Sequence, residues 1–400
     1  MPDREPAQRN ISYGSYWEAM NALDFNAAVS LGHSDDEQVF ARSLVDVVAG
    51  RFDSVRNVLY RLHESSQDSL IRRRAGDVLE EFLFAESRYS EVLNLKSAAG
   101  NIEQDVLARG FSSLPMEETM LPSRPVTLSI ELSSTGSPIV EVVINGHKLK
   151  FWLDTGAGVT VLSSDIAEQC EAKPVIGETE NIGTATSKRI DVLPTSIAEL
   201  RIGDLTIRNH PSIIIQKNDL EFYLFGFIRI MKIDGIVGWD ILRNLDVDID
   251  YANKVLTIRR PAKKEPAQRN LFWFGYPVVT LRTEDGVALN FGFDSGASSS
   301  SIHEVIFRRI SATMIDSTQR RIGSAGGWET VHSKIIPQLE LILGSNLLRF
   351  ANIPTVPTAS AIFGTLDGRL GSDIAKSGVI HLDFTNGEFR IDANQRQEPE

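Results

Sequence analysis

Two short stretches of this 400-residue chain set a carboxylate in the same surroundings. Phe151-Trp152-Leu153-Asp154-Thr155-Gly156-Ala157 and Phe291-Gly292-Phe293-Asp294-Ser295-Gly296-Ala297 each pass from apolar residues to an aspartate, a hydroxyl residue, a glycine and an alanine. One such stretch is a turn with an aspartate in it. Two, with aspartates at 154 and 294, predict a duplicated half-site in which each copy supplies one carboxylate to a shared pair. Carboxylates at contact distance cannot both ionise, so one keeps a proton while the other accepts one. Such a pair can activate a water and polarise a carbonyl, and it titrates as a unit. Gly156 and Gly296 allow the sharp turn and expose backbone N–H groups to the carboxylates. Thr155 and Ser295 are placed to bond across a pseudo-twofold axis, and Leu153 and Phe293 to anchor each loop.

The elements that must hold these loops recur in the same order. The first half starts at Pro138–Ile144, turns at Asn145-Gly146 and returns through Leu149–Leu153 to Asp154. The second starts at Pro277–Arg282, turns at Asp285-Gly286 and returns through Val287–Phe293 to Asp294. Asn-Gly and Asp-Gly are strong hairpin signals because both tolerate positive φ. A short helix-like segment follows each aspartate, at Ser163–Glu168 and Ser301–Ile306. Next comes a glycine-bearing hairpin, carrying Gly183 and Thr184 in one half and Gly323, Ser324, Gly326 and Gly327 in the other. Then come Ile236-Val237-Gly238 and Arg369-Leu370-Gly371. The closing hairpins Asp250–Ile258 and Asp383–Ile391 also correspond.

The doubled motif resembles the active-site sequence of aspartic proteases. The alanines after the glycines and the length of each half resemble the retroviral-type, retropepsin-like branch, whose apolar-apolar-glycine element is similar to Ile236-Val237-Gly238. The resemblance covers about residues 126–392. It implies a single-chain, two-lobed all-β body with pseudo-twofold symmetry, and an aspartic endopeptidase with Asp154 and Asp294 as catalytic residues. Thr155, Gly156, Ala157, Ser295, Gly296 and Ala297 would support the loops. The hairpins at Gly183, Thr184, Gly323, Ser324, Gly326 and Gly327 would form substrate-binding flaps. No cofactor and no metal is expected, and a monomer is, because both half-sites lie in one chain. The alternative is a catalytically silent peptide-binding protein on the same fold.

Some residues depart from the pattern. Arg369 stands where the first half has Ile236, and is expected at an exposed edge, paired with Asp367 or Asp373, or as a mark of a drifted half. Neither flap hairpin has a tyrosine, which leaves Trp328 as a substitute or as a packed aromatic. His303 is read as a surface residue of a short helix. Ala157 and Ala297 have no hydroxyl to stabilise an ionised carboxylate, which predicts raised pKa values and an optimum at mildly acidic to neutral pH. His381 and Asp383 are close in sequence, but no metal-binding motif accompanies them. Ser298–Ser301 reads as a polar turn, and Cys170 as a buried or incidental thiol.

Before the protease-like body the chain reads as helical, with no proline between Pro6 and Pro115 and apolar residues at three- and four-residue spacing. The fold class is therefore α+β multidomain. A helical-hairpin domain spans 1–120, a first lobe 126–260, a linker 261–270 and a second lobe 271–392. Segments beginning Ala22, Ala49 and Ala85 look alike and place aromatics at Phe25, Phe52 and Tyr89. They resemble tetratricopeptide repeats at an irregular spacing and predict either a surface for a protein partner or a bundle packed on the body. Glu5-Pro6-Ala7-Gln8-Arg9-Asn10 recurs as Glu265–Asn270 and is read as a copied, exposed linker.

The net charge of −12 and pI near 5.2 argue against a nucleic-acid-binding surface. The partner expected is a peptide or protein substrate. One cysteine permits no internal disulfide, no run approaches a membrane span, and the N-terminal residues lack a signal pattern. The compartment stays open.

Overall fold

The computed structural model describes residues 11–99, 105–134, 136–184, 188–224, 228–264, 269–310, 315–356, 361–376 and 378–393. Seven helices come first: α1 (Tyr16–Asn21), α2 (Phe25–Leu31), α3 (Asp35–Val48), α4 (Phe52–Ser65), α5 (Ser69–Ala85), α6 (Tyr89–Ala99) and α7 (Asp105–Ser112). Each packs on the next. The starts of α1, α2, α3 and α5 are capped by short polar side chains. Ser34 forms a reciprocal capping box with Glu37, and Asp68 accepts from the N–H groups of Leu70 and Ile71, caps of a kind that contribute ~1 kcal/mol each.

The three look-alike segments are one turn used three times. Two residues past the ends of α1, α3 and α5 stands a residue with positive φ: Leu23 (56°), Gly50 (76°) and Ser87 (60°). The next N–H then reaches back to a helix carbonyl, Asp24 to Ala19, Arg51 to Asp46 and Arg88 to Leu83. This is the Schellman closure, and the following aromatic opens the next helix. These helical hairpins pack on the body. Phe25 meets Phe274 at 5.4 Å between ring centroids, and Phe40 meets Phe363 at 6.1 Å. One continuous apolar core runs from the helices into both lobes. Each large side chain buried there contributes about 1.5–3 kcal/mol.

The body is β-rich. In the first lobe Pro138–Ile144 pairs with His147–Leu153 through a tight turn in which Asn145 and Gly146 have φ of 49° and 88°. The second-lobe counterpart, Pro277–Arg282 with Ala288–Phe293, is joined by a wider loop. In each lobe the short strand of the apolar-apolar-glycine element inserts parallel to the strand that carries the aspartate. Ile236 lies beside Trp152, and Arg369 beside Gly292. The closing hairpins do not stay in separate lobes. Asp246–Asp250 pairs with Gly378–Asp383 in a shared sheet that continues through Val255–Arg259 to Val126–Leu132, and so fastens the lobes together.

Several sequence readings change. Glu118–Met120, placed with the helices, is a strand on the first lobe paired with Thr206–Arg208. The segment after Asp294 is the strand Ser301–His303 followed by a 3-10 turn, Glu304–Arg308. His303 is buried, not superficial, and its Nδ1 contacts the Leu366 carbonyl at 2.8 Å. Positions 5–10 and 265–268 of the repeated segment lie outside the described residues, but the end of its second copy is not exposed. Asn270 is buried and exchanges hydrogen bonds of 3.0 and 2.8 Å with the Phe389 backbone. Among the described residues no helix is long and apolar enough to cross a membrane.

Candidate active site

Asp154 and Asp294 meet at the junction of the lobes, each carboxyl lying against the glycine of the opposite loop. The loops that carry them are locked together by four reciprocal bonds. The Thr155 N–H donates to Ser295 Oγ (3.1 Å) and the Ser295 N–H to Thr155 Oγ1 (3.0 Å). Thr155 Oγ1 donates to the Phe293 carbonyl (2.8 Å), and Ser295 Oγ to the Leu153 carbonyl (2.7 Å). Both hydroxyl side chains are fully buried. Removing either leaves buried donors and acceptors without partners, at a cost of roughly 1–3 kcal/mol each.

Each carboxylate also takes a backbone N–H from its own loop, Gly156 to Asp154 Oδ1 and Ala297 to Asp294 Oδ1, both 2.9 Å. A second pair of acids, which sequence reasoning missed, braces the loops from behind. Asp240 accepts from the N–H and Oγ1 of Thr160, both at 2.8 Å. Asp373 accepts from the N–H and Oγ of Ser300, at 2.9 and 2.7 Å. The same hydroxyls then receive the N–H of Gly238 (3.2 Å) and Gly371 (3.1 Å). A signal was available: each acid stands two residues after the glycine of its apolar-apolar-glycine element. The first-lobe brace extends outward. His210 is buried between Asp240 and Glu117, with contacts of 3.2 and 2.6 Å, and so ties the segment leaving the helices to the support of Asp154.

The two half-sites differ most on the face of the cleft. In the first lobe Trp152 and Ile236 present apolar surface. In the second, Gly292 leaves room for the ring of Tyr276, whose Cδ1 would lie 2.7 Å from a Cβ at Gly292. The Tyr276 side chain is half-buried with its hydroxyl facing Asp294. The flap hairpins lack a tyrosine as expected, and this one reaches the dyad from the turn between Leu271–Trp273 and Pro277–Arg282. Arg369 is not at an exposed edge and pairs with neither acid beside it in sequence. Asp367 is engaged by buried Arg309, and Asp373 by Ser300. Arg369 Nη1 instead lies 3.3 Å from Asp294 Oδ2.

Burial and the neighbouring Asp294 push the Asp154 carboxyl well above the usual carboxylate range, against the opposing pull of the Gly156 N–H and of Arg369. Burial and the negative charge of Asp294 likewise hold the Tyr276 hydroxyl in its neutral, donating form.

A cleft of about 1130 Å³ opens above the dyad. Gly183, Thr184 and Gly323 line it, as do Ala157, Gly156, Gly296 and Ala297. Gly326 and Gly327 form the tip of the second flap, with φ of 84° and 108°, and Ser324 pairs with Gly327 at its base. Lys188 of the first flap donates to the Gly326 carbonyl, so the two hairpins touch there. Trp328 packs over Gly323 and faces the first-lobe apolar wall. Part of that wall comes from the helices. Leu107 and Phe111 of α7 are buried with Trp152, Val161, Ile190 and Ile236, and Phe84 and Tyr89 pack on Phe111 at 6.0 and 5.2 Å.

Among the described residues two clusters could by composition hold a cation: Asp246, Asp248 and His381, and His381, Asp383 and Glu388. Arg259 already pairs with Asp246 and Asp248, and Lys264 with Asp383 and Glu388. Both clusters sit in the shared sheet and not in the cleft. Cys170 is buried, and burial pushes its thiol pKa up.

The duplicated loops, the inserted parallel strands and the flap hairpins define a retropepsin-like aspartic protease fold, here with both halves in one chain. The chain carries a retropepsin-like aspartic protease domain: residues 140–232 match the family model described as "gag-polyprotein putative aspartyl protease". It is similar to the UBA domain-containing protein Mud1 of Schizosaccharomyces pombe, with 33% identity over 124 residues, 30% of this chain and 32% of that protein. It is also similar to DNA damage-inducible protein 1 of Neurospora crassa, with 30% identity over 125 residues, 30% of this chain and 24% of that protein. The chain thus spans about a third and a quarter of these curated relatives. A crystal structure of a retropepsin-like aspartic protease from Rickettsia conorii aligns over 36% of this chain and 96% of that one, at 16% identity and a TM-score of 0.25.

Proposed function

We propose that the protein is an aspartic endopeptidase that hydrolyses a peptide bond with water held between Asp154 and Asp294. The observation that carries this reading is the meeting of the two carboxylates on loops locked by the Thr155–Ser295 bonds. In the reaction one carboxylate takes a proton from the water as its oxygen attacks the scissile carbonyl. The other, protonated, donates to the carbonyl oxygen. Protons then pass back through the pair as the amine leaves. No step calls for a covalent intermediate.

The substrate is an extended peptide running under the two flaps and bonding to their strand edges. The apolar wall of Trp152, Ile236, Leu107 and Phe111 favours a large apolar side chain beside the scissile bond. The helical hairpins therefore contribute to substrate selection as well as to packing, and their outer surface remains a candidate for a protein partner. The molecule acts as a monomer, since each half supplies what a second copy would.

A peptide library incubated with the protein from pH 4 to 8 tests this reading. Cleavage that stops with a pepstatin-type transition-state mimic is the expected result. Binding of such peptides without cleavage at any pH would instead support the silent, peptide-binding alternative, for which the cation beside Asp294 is the supporting observation.

A further inference from the structure

The two aspartates have nearly equivalent backbones and unequal surroundings. Ile236 takes in the first lobe the place that Arg369 takes in the second, because the two short inserted strands occupy matching places beside Trp152 and Gly292. Asp294 therefore has a guanidinium 3.3 Å from Oδ2 in addition to the Ala297 N–H on Oδ1, with the neutral Tyr276 hydroxyl facing it. Asp154 has the Gly156 N–H on Oδ1. The acids flanking Arg369 in sequence are engaged by Arg309 and Ser300. Among the described residues Arg369 also acts on Asp154, Tyr276 and His303, and burial first, with the field of Arg369 adding to it, disfavours a charged His303 ring.

We propose that Arg369 is a positioning residue that breaks the symmetry of the dyad: it holds the negative charge on Asp294, so that Asp294 takes the proton from water and Asp154 donates to the substrate carbonyl. This rests on the proteolytic reading above and extends it by assigning the two roles. A consequence follows for pH. A cation beside the pair favours its ionised forms and lowers both macroscopic steps of its titration. It thus opposes the upward push from burial and keeps the singly protonated, working form within a lower pH window than a symmetric pair would have.

Arg369→Ile, which copies the first half, tests this. The pH profile of kcat/KM should move upward by about 1 pH unit or more, the range expected for an opposite charge at this distance. Arg369→Lys, which keeps the charge, should stay close to wild type. A profile for Arg369→Ile that superimposes on wild type, or that moves downward, overturns the inference. A second measurement needs neither turnover nor an Arg369 variant. In protein labelled with carboxyl-13C aspartate, the two dyad signals are assigned by their loss in Asp154→Asn and Asp294→Asn. On raising the pH, Asp294 should ionise first. If Asp154 ionises first, the assignment is wrong whether or not the protein cleaves peptides. If Asp294 ionises first and no peptide is cleaved, the proteolytic reading fails and the asymmetry of the pair stands.

Discussion

The carboxyl of Asp154 lies against Gly296 so closely that a Cβ at that glycine would sit 2.5 Å from its Cγ. The reverse contact, Gly156 against Asp294, leaves 2.9 Å. Each glycine thus belongs to the opposite aspartate's site as much as to its own turn. Gly296→Ala should displace the Asp154 carboxyl and reduce kcat/KM by about 100-fold, the effect of a misplacement of about 1 Å, with only a modest fall in melting temperature. Cleavage at the wild-type rate would show that the close approach is not required.

Asp154 also carries a stability cost. Its folded-state pKa is raised by burial and by Asp294, so the folded protein holds this proton more tightly than the unfolded chain does. Stability from this group is present below the unfolded carboxylate pKa of about 4 and is lost as pH rises toward the raised folded value. Asp154→Asn removes that dependence. Melting temperatures of wild type and variant should differ least near pH 4, and the difference should shift in favour of the variant toward pH 8. A difference that is constant with pH would mean that Asp154 is not held protonated.

His210 titrates in the other sense. Burial opposes its charge, but Asp240 and Glu117 outweigh burial and raise it to about 9. Its contribution to stability is complete below the unfolded pKa of about 6.5 and is lost between there and about pH 9. The pH-dependent part amounts to roughly 3 kcal/mol. His210→Gln should therefore be markedly destabilised in urea at pH 6, and much less so at pH 9.5. Equal losses at both pH values would remove the charged His210 from the account.

How much of this was legible beforehand depended on whether a feature is local. The Asp-Thr-Gly-Ala and Asp-Ser-Gly-Ala loops, the Asn145-Gly146 turn and the recurring helix closures at Leu23, Gly50 and Ser87 are set by a few adjacent residues, and the sequence exposed them. The helical segments followed from apolar spacing alone. Arg369 and Tyr276 were not legible in this way. Their contacts with Asp294 depend on strand insertion and on the space left by Gly292, and no short window reports either. His303 was misjudged because its segment has helix-like spacing, while its burial comes from a strand packed on Leu366. The joining of the closing hairpins into one sheet was equally hidden, since strand order between lobes leaves no mark in a single strand's pattern.

The contribution of the helices to the cleft can be measured through Phe111, which is buried beside Trp152 and Ile190. Phe111→Ala should lower kcat/KM for peptides with a large apolar residue beside the scissile bond by about 10-fold relative to peptides with a small one, the scale of discrimination an apolar pocket provides. A uniform loss across the library would instead indicate a packing role alone.

The central claim is that Asp154 and Asp294 act together as one catalytic unit. Its most direct test is peptide cleavage by Asp154→Asn and by Asp294→Asn, beside wild type, with melting curves to establish that each variant is folded. Wild type should cleave and each folded single variant should be inactive, because neither carboxylate can both accept and donate the proton alone. Cleavage at the wild-type rate by either variant would contradict that claim.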